Sequence, residues 1–270
     1  MKKKLLVLAC ALCAVATFAQ TGADFMVIPS QAGNGVNIAK YNGSAAQVAI
    51  PAVIDGKPVI EIGRGAFSGN KTITSVGIPE GVVSIGASAF MACSSLTEVI
   101  IPESVAEIGQ SAFFSTALTS VTIPCGTIGD RAFALCVTLQ NVTLGEKVTE
   151  IGTAAFSETG LTSVRIPSSV KTLGANAFAA CRALASIKLS EGLATIGIWT
   201  FAGCEAIKGI TFPSTLVSIG DDAFRGCTSL AVITIPKKSS LKTIGNSAFQ
   251  DAPLDKATVT RLRSFGYRHQ

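Results

Sequence analysis

Histidine is nearly missing from this chain: the one copy, His269, stands next to last in 270 residues. That excludes Ser-His-Asp and Cys-His nucleophile systems on composition alone. Cys-x-x-Cys spacing occurs only at Cys10 and Cys13, inside an N-terminal leader, so no zinc signature is present. Charged residues make up only 14% of the chain. Removing Lys2, Lys3 and Lys4 with the leader leaves 19 Lys+Arg against 17 Asp+Glu, too balanced a field to argue for nucleic acid. The apolar run from Leu5 to Ala16 is shorter than the ~20 residues that span a bilayer, and no later stretch could do so. Gly63-Arg-Gly65-Ala-Phe-Ser-Gly69 is glycine-rich but misses the dinucleotide spacing. Neither a metal, a cofactor, a nucleic acid nor a transmembrane segment in the mature chain is expected, and an enzyme is disfavoured.

What the chain does have is repetition. An aliphatic residue, Gly, two variable residues, a small residue and Phe recur nine times, ending at Phe67, Phe90, Phe113, Phe133, Phe156, Phe178, Phe201, Phe224 and Phe249. The spacings are 23, 23, 20, 23, 22, 23, 23 and 25 residues. A fixed period in this range marks a solenoid, whose units stack only on their neighbours. Within one unit, apolar residues fall at alternate positions, Val99 and Ile101, Val76 and Ile78, or Val164 and Ile166. Period two in a β-branched run predicts a half-buried strand. Proline then stops the strand at Pro51, Pro79, Pro102, Pro124, Pro167, Pro213 and Pro236, with Gly145 and Ser190 in two coils. The glycine four residues before every Phe implies either φ > 0 or coil-to-coil contact too close for a Cβ. The phenylalanines should stack as a column. The coil ending at Phe133 is three residues short, with Cys125-Gly126 where an aliphatic belongs, and a local pinch or bulge is expected there.

The recurrent L-x-x-V-x-I-P-x-x-V-x-x-I-G-x-x-A-F-x-x-C, running from about Val48 to Ala252, resembles the BspA-type (treponemal-class) leucine-rich repeat of bacterial secreted and surface proteins. The segment Ile50-Pro51-Ala-Val-Ile54-Asp-Gly56-Lys-Pro58-Val59 is similar to that family's usual first coil. The resemblance implies a β-rich, right-handed leucine-rich-repeat solenoid of about nine coils, with binding and adhesion rather than catalysis as its role.

The ends suggest four segments. Residues 1–19, with a lysine head, an apolar run and Thr17-Phe18-Ala19, read as a signal peptide cleaved near Ala19. The mature protein is then expected to be secreted, periplasmic or on the cell surface. Residues 20–46 hold two strand-like stretches, Phe25–Val27 and Val36–Tyr41, around Gly33-Asn34-Gly35, and read as a β-hairpin cap. Residues 47–252 form the solenoid. Residues 253–270 read as a short cap helix and tail, with Val259, Leu262 and Phe265 inward and Lys256, Arg261, Arg263 and Arg268 on a solvated face.

Cys93, Cys136, Cys181, Cys204 and Cys227 all stand three residues after the Phe, where other coils carry Asn70, Thr116 or Thr159. Export favours disulfides. Coils stacked ~4.8 Å apart with parallel side chains disfavour them, because a bridge wants converging Cβ atoms ~3.8 Å apart. Buried free thiols are therefore expected, with a Cys181–Cys204 or Cys204–Cys227 bridge as the alternative. Asp221-Asp222 reads as an exposed corner.

Two surfaces could meet a partner. The outward strand positions are mostly Ser and Thr without aromatic anchors, and Glu98, Thr122, Asn141, Thr143, Arg165, Lys188 and Thr211 are their candidate contacts. The second is the pair Ile198-Trp199, apolar where other coils carry Arg-Gly, Gln-Ser or Asp-Asp, and containing the chain's one tryptophan. A monomeric binding module for a protein or glycan is the favoured reading. A structural or assembly protein of the cell envelope, without an external ligand, is the alternative.

Overall fold

A computed structural model describes residues 20–31 and 33–268; the leader read at residues 1–19 and His269 lie outside them. The strands are short because each coil turns a corner every few residues. They are β1 (Phe25–Pro29), β2 (Val36–Tyr41), β3 (Gln47–Ala49), β4 (Val53–Ile54), β5 (Lys57–Ile62), β6 (Ser75–Gly77), β7 (Ser84–Ile85), β8 (Glu98–Ile100), β9 (Glu107–Ile108) and β10 (Ser120–Ile128). Then follow β11 (Asn141–Ile151), β12 (Ser163–Ile166), β13 (Thr172–Leu173), β14 (Ser186–Leu189), β15 (Thr195–Ile196), β16 (Gly209–Thr211), β17 (Ser218–Ile219), β18 (Val232–Thr234), β19 (Thr243–Ile244) and the helix α1 (Lys256–Arg263).

Each full coil contributes two strands to a β-solenoid. The strands before the repeat glycine pair in the order β2-β5-β7-β9-β10-β11-β13-β15-β17-β19, with β1 antiparallel on the end. The strands before the proline pair as β3-β6-β8, β12-β14 and β16-β18, with β12-β14 joined to the long sheet through β11. Register is by repeat position: Ile62 faces Ile85, which faces Ile108, and all three are buried. Period-two alternation thus becomes an inner and an outer row on each side of the coil.

The phenylalanine column forms as expected. Consecutive rings stack 4.7–5.5 Å apart and 4–21° from parallel, from Phe67 to Phe249. A tyrosine closes each end: Tyr41 stacks on Phe67 at 5.2 Å and Tyr267 meets Phe249 edge-on at 5.4 Å. The hairpin is more than a lid, because β2 pairs in parallel with β5 and Tyr41 N–H donates to the Ala66 carbonyl as a coil's phenylalanine would. At the other end, the Asp255 carboxylate caps α1 by accepting from Thr258 N–H at 2.6 Å. The buried Thr258 hydroxyl accepts from Ile233 N–H on the last long strand edge. Arg261 departs from the solvated face expected for it: it donates to the Pro236 carbonyl and lies over the Phe265 ring.

Around each Phe the chain makes consecutive tight turns. Left-handed φ occurs two residues before the Phe (52–66°) and two after it (55–73°) in all nine coils. N–H groups at alternate positions donate to the next coil, as Arg131, Phe133 and Leu135 do to Thr153, Ala155 and Ser157 at 2.8–2.9 Å. Those between them close turns within the coil, as Ala132 N–H does on Gly129. The interior turn ladder therefore leaves no backbone donor of this run orphaned.

The repeat glycine has the second of its two offered reasons. Its φ is not positive; instead a Cβ on Gly174 would lie 2.6 Å from the carbonyl carbon of Gly152, and one on Gly109 2.7 Å from the nitrogen of Ala87. The irregularity expected at the short coil is there: β10 runs unbroken through the corner, as β11 does beside it, with register shifts between the two at Ile123/Cys125 and Gly126/Thr127. With residues missing, the chain takes the short path, and Gly126 (φ 93°) passes where a Cβ would sit 2.2 Å from the Ala106 oxygen.

Candidate functional site

The strand-side candidates fall in two outward rows. Thr122 faces Thr143 and Arg165 faces Lys188, directly in register; Asn141 lies between Ser120 and Ser163, and Glu98 lies beside Ser75. All seven are exposed. Arg165 is not a loose cation, because its guanidinium pairs with the Glu146 carboxylate, with both side chains about half exposed. Lys188 and Thr211 come together in a shallow groove of about 550 Å³, floored by Phe212 and edged by Glu191, Val232 and Thr234. Glu191 is committed to the scaffold: it accepts from Ser214 N–H, the Ser214 hydroxyl and Thr215 N–H on the next coil, and these bonds hold its pKa below the usual carboxylate value.

The Ile198-Trp199 corner is a separate surface, reached from β15 across the repeat glycine. Ile198 is 47% exposed and Trp199 37% exposed. Trp199 occupies the left-handed position at φ 58°, where a bulky side chain is unfavourable. Its ring lies 5.4 Å from the Arg225 guanidinium carbon of the next coil, and Arg225 is held by Asp222 at 3.4 Å. Thr200, in the usual Ala slot, is fully buried, and its hydroxyl donates to the Gly197 and Gly174 carbonyls. Asp221 accepts from Asn246 N–H at 2.6 Å, as Asp130 does from Thr153 N–H at 2.7 Å. The Asp221-Asp222 corner is therefore a clasp between coils. No cluster of metal-ligating side chains occurs among the described residues.

The cysteine column is internal. Cys93, Cys136, Cys181, Cys204 and Cys227 are free and buried, and each thiol donates to the phenylalanine carbonyl of the preceding coil at 3.1–3.2 Å. Thr116 and Thr159 occupy the same slot and meet Cys136 and Cys181 at 3.1 Å. Burial pushes the Cys93 thiol up to about 11 and Cys227 up to about 12. Thiols so placed are neither nucleophiles nor metal ligands at neutral pH.

Six copies of the BspA-type leucine-rich repeat match over residues 60–185 and 150–268. The chain belongs to the BspA-type leucine-rich repeat family. Among solved structures, the leucine-rich repeat protein of Treponema pallidum is 25% identical with a TM-score of 0.58, over 93% of this chain and 97% of that one. A leucine-rich cell surface protein of Faecalibacterium prausnitzii is 24% identical with a TM-score of 0.42, over 91% and 97%. The pneumococcal vaccine antigen PcpA is 17% identical with a TM-score of 0.43, over 87% and 86%. No curated protein matches the chain.

Sequence reasoning about this BspA-type solenoid found the candidate side chains but not their partners. Glu146 on Arg165, Arg225 on Trp199 and the Phe212 floor under Lys188 each come from a neighbouring coil. The one available signal was register: Arg225 follows its Phe directly, one coil after Trp199.

Proposed function

We propose that this protein is an exported, non-catalytic binding module that recognises a protein or glycan outside the cytoplasm, with adhesion as its use. Membership of a repeat family built as a binding scaffold supports the coarse reading, and no helix among the described residues is long and apolar enough to cross a membrane. The observation that carries the finer one is Trp199. The fold demands left-handed backbone at that slot in every coil, and Gly, Ser, Asn or Asp meets the demand in six of the other eight. A half-exposed tryptophan there is unfavourable for the scaffold, and tryptophan beside arginine is the pair that concentrates interface energy.

The contact surface in this reading is the Ile198-Trp199 corner together with the outward rows carrying Glu98, Thr122, Asn141, Thr143, Arg165, Lys188 and Thr211. The rows are hydroxyl-rich and lack aromatic side chains, so each contact is weak and function depends on multivalent display. The test is capture by the mature protein on beads, against matrix proteins, glycans and bacterial cells. Trp199→Ala, or Arg165→Glu with Lys188→Glu, is expected to weaken any partner found. A partner indifferent to both variants would show that both surfaces are misassigned. No capture even on dense beads would favour the envelope-structural reading.

A further inference from the structure

At the N-terminal end, the hairpin and the first two coils flank a groove of about 600 Å³, lined in part by β2, a strand outside the repeat. Its polar centre is one pair: Asn37 Nδ2 donates to Glu61 Oε2 at 2.6 Å, on adjacent strands β2 and β5. Asn37 is only 9% exposed, and its Oδ1 has no hydrogen-bond partner among the described residues. A buried unsatisfied acceptor is rare and calls for an explanation. Ile28, Ile60 and Val83 wall the groove, with Ile28 and Val83 about half exposed, and Arg64 stands at its edge without an ion pair to Glu61.

Asn37 Nδ2 spends one of its two N–H groups on Glu61, which leaves Oδ1 as an unpaired acceptor beside the Glu61 carboxylate. The Glu61 carboxylate disfavours anions. A hydroxyl could donate one bond but would leave the Glu61 charge uncompensated, whereas an ammonium supplies three donors and the opposite charge. Burial, and then the Glu107 carboxylate one coil beyond Ser84 in the same row, raise the Glu61 pKa, as expected of a carboxylate lacking a cation. We propose that this groove binds a primary ammonium on an aliphatic stem, the ammonium donating to Asn37 Oδ1 and Glu61 and the stem lying against Ile28, Ile60 and Val83. The source is either a free alkylamine or a lysine side chain of a polypeptide.

The test is a ¹H–¹⁵N titration of the full mature chain with n-butylammonium chloride, n-butanol and Nα-acetyl-lysine methylamide. Saturable shifts of the Asn37 side-chain amide are expected with butylammonium, with butanol weaker by about tenfold or more. Equal binding of the lysine derivative would assign polypeptide lysine, and its exclusion would assign free amines. Glu61→Gln should weaken butylammonium by about tenfold. Ile28→Ser, on an exposed edge position where folding is insensitive, should weaken it by a few-fold, and Arg64→Ser should tighten it. Butanol binding as well as butylammonium, indifference to Glu61→Gln in a variant that melts like the parent, or absence of saturable binding would each overturn the proposal.

Discussion

Two positions in each coil, two residues apart, share nearly the same backbone from coil to coil and yet differ completely in sequence. The inner one is Phe in all nine coils; the outer one is Gly, Ser, Ser, Arg, Ala, Asn, Trp, Asp and Ser, with φ held at 52–66° throughout. Dihedral angles therefore do not dictate the inner residue. The space does: one ring must fill the centre of each coil and stack on two others, whereas the outer side chain faces solvent and any residue that tolerates left-handed φ will serve. Repetition thus reports packing, and departures at the permissive position report something other than packing.

The comparison breaks most sharply inside. Phe156→Ala removes a fully buried ring between two stacked neighbours, and the expected loss is about 3–5 kcal/mol of stability. Ala154→Ser, two residues earlier at the outer position, should change stability by less than about 0.5 kcal/mol. Urea unfolding of both variants measures the contrast; similar losses would mean the column is not what holds the coils together.

Next in size is the repeat glycine. Gly174→Ala would put a Cβ 2.6 Å from the backbone of the preceding coil, where no flexible side chain can yield. A cost of about 1–3 kcal/mol is expected from forced separation of the coils. Gly33→Ala in the hairpin turn makes no contact within 4 Å, so its cost comes from φ 71° alone and should be smaller. Thermal melts rank the two, and the reverse ranking would place the glycine requirement in backbone conformation instead.

The thiol column tests the interior by charge. Burial first of all raises the thiol pKa values, to about 11 at Cys93 and about 12 at Cys227, from an ordinary 9.0. A group whose folded pKa is raised favours the native state below its unfolded pKa, and that contribution fades as pH climbs through the folded value. Stability should thus be flat in this respect below about pH 9 and fall between about pH 9 and 12, less so in Cys204→Ala. A thiol reagent at pH 8 should leave the five buried cysteines unmodified in the folded protein and titrate them after unfolding. Two of them failing to react after unfolding would reveal a bridge.

Much of this was legible in the sequence because a solenoid writes its core as a period. The nine phenylalanines, the alternating Val99 and Ile101, the cysteine slot and the short coil at Phe133 all appear where their spacing puts them. The φ > 0 alternative for the repeat glycine belongs instead to two positions on either side of each Phe. Ser, Ala and even Leu135 tolerate that conformation, which leaves no residue signature. The candidate contacts were legible as side chains but not as arrangements. Whether Arg165 is free, or the exposed Asp221 is tied to another coil, depends on which residue a neighbouring coil brings within reach, and Glu146 and Asn246 carry no local mark of it. The Asn37–Glu61 pair joins residues 24 apart through a hairpin strand outside the repeat, where periodicity has nothing to say.

A small expected stability effect sharpens the comparison furthest. Trp199→Asn keeps a residue that accepts left-handed φ and matches what the preceding coil carries at Asn176. Relief of the backbone strain, about 1 kcal/mol, offsets the loss of the Arg225 contact, about 0.5–1 kcal/mol at an exposed site, and of the ring's partial burial. Net stability should therefore move by no more than about 1 kcal/mol, a few degrees in melting temperature, whereas capture of a partner by the bead-bound protein should fall severalfold. A tryptophan placed for packing gives the opposite result: a loss of 2 kcal/mol or more by the same melt, and unchanged capture by whatever protein still folds. Phe201→Ala, two residues on in the same coil, supplies the internal standard, since its loss of about 3–5 kcal/mol is expected whichever role Trp199 has.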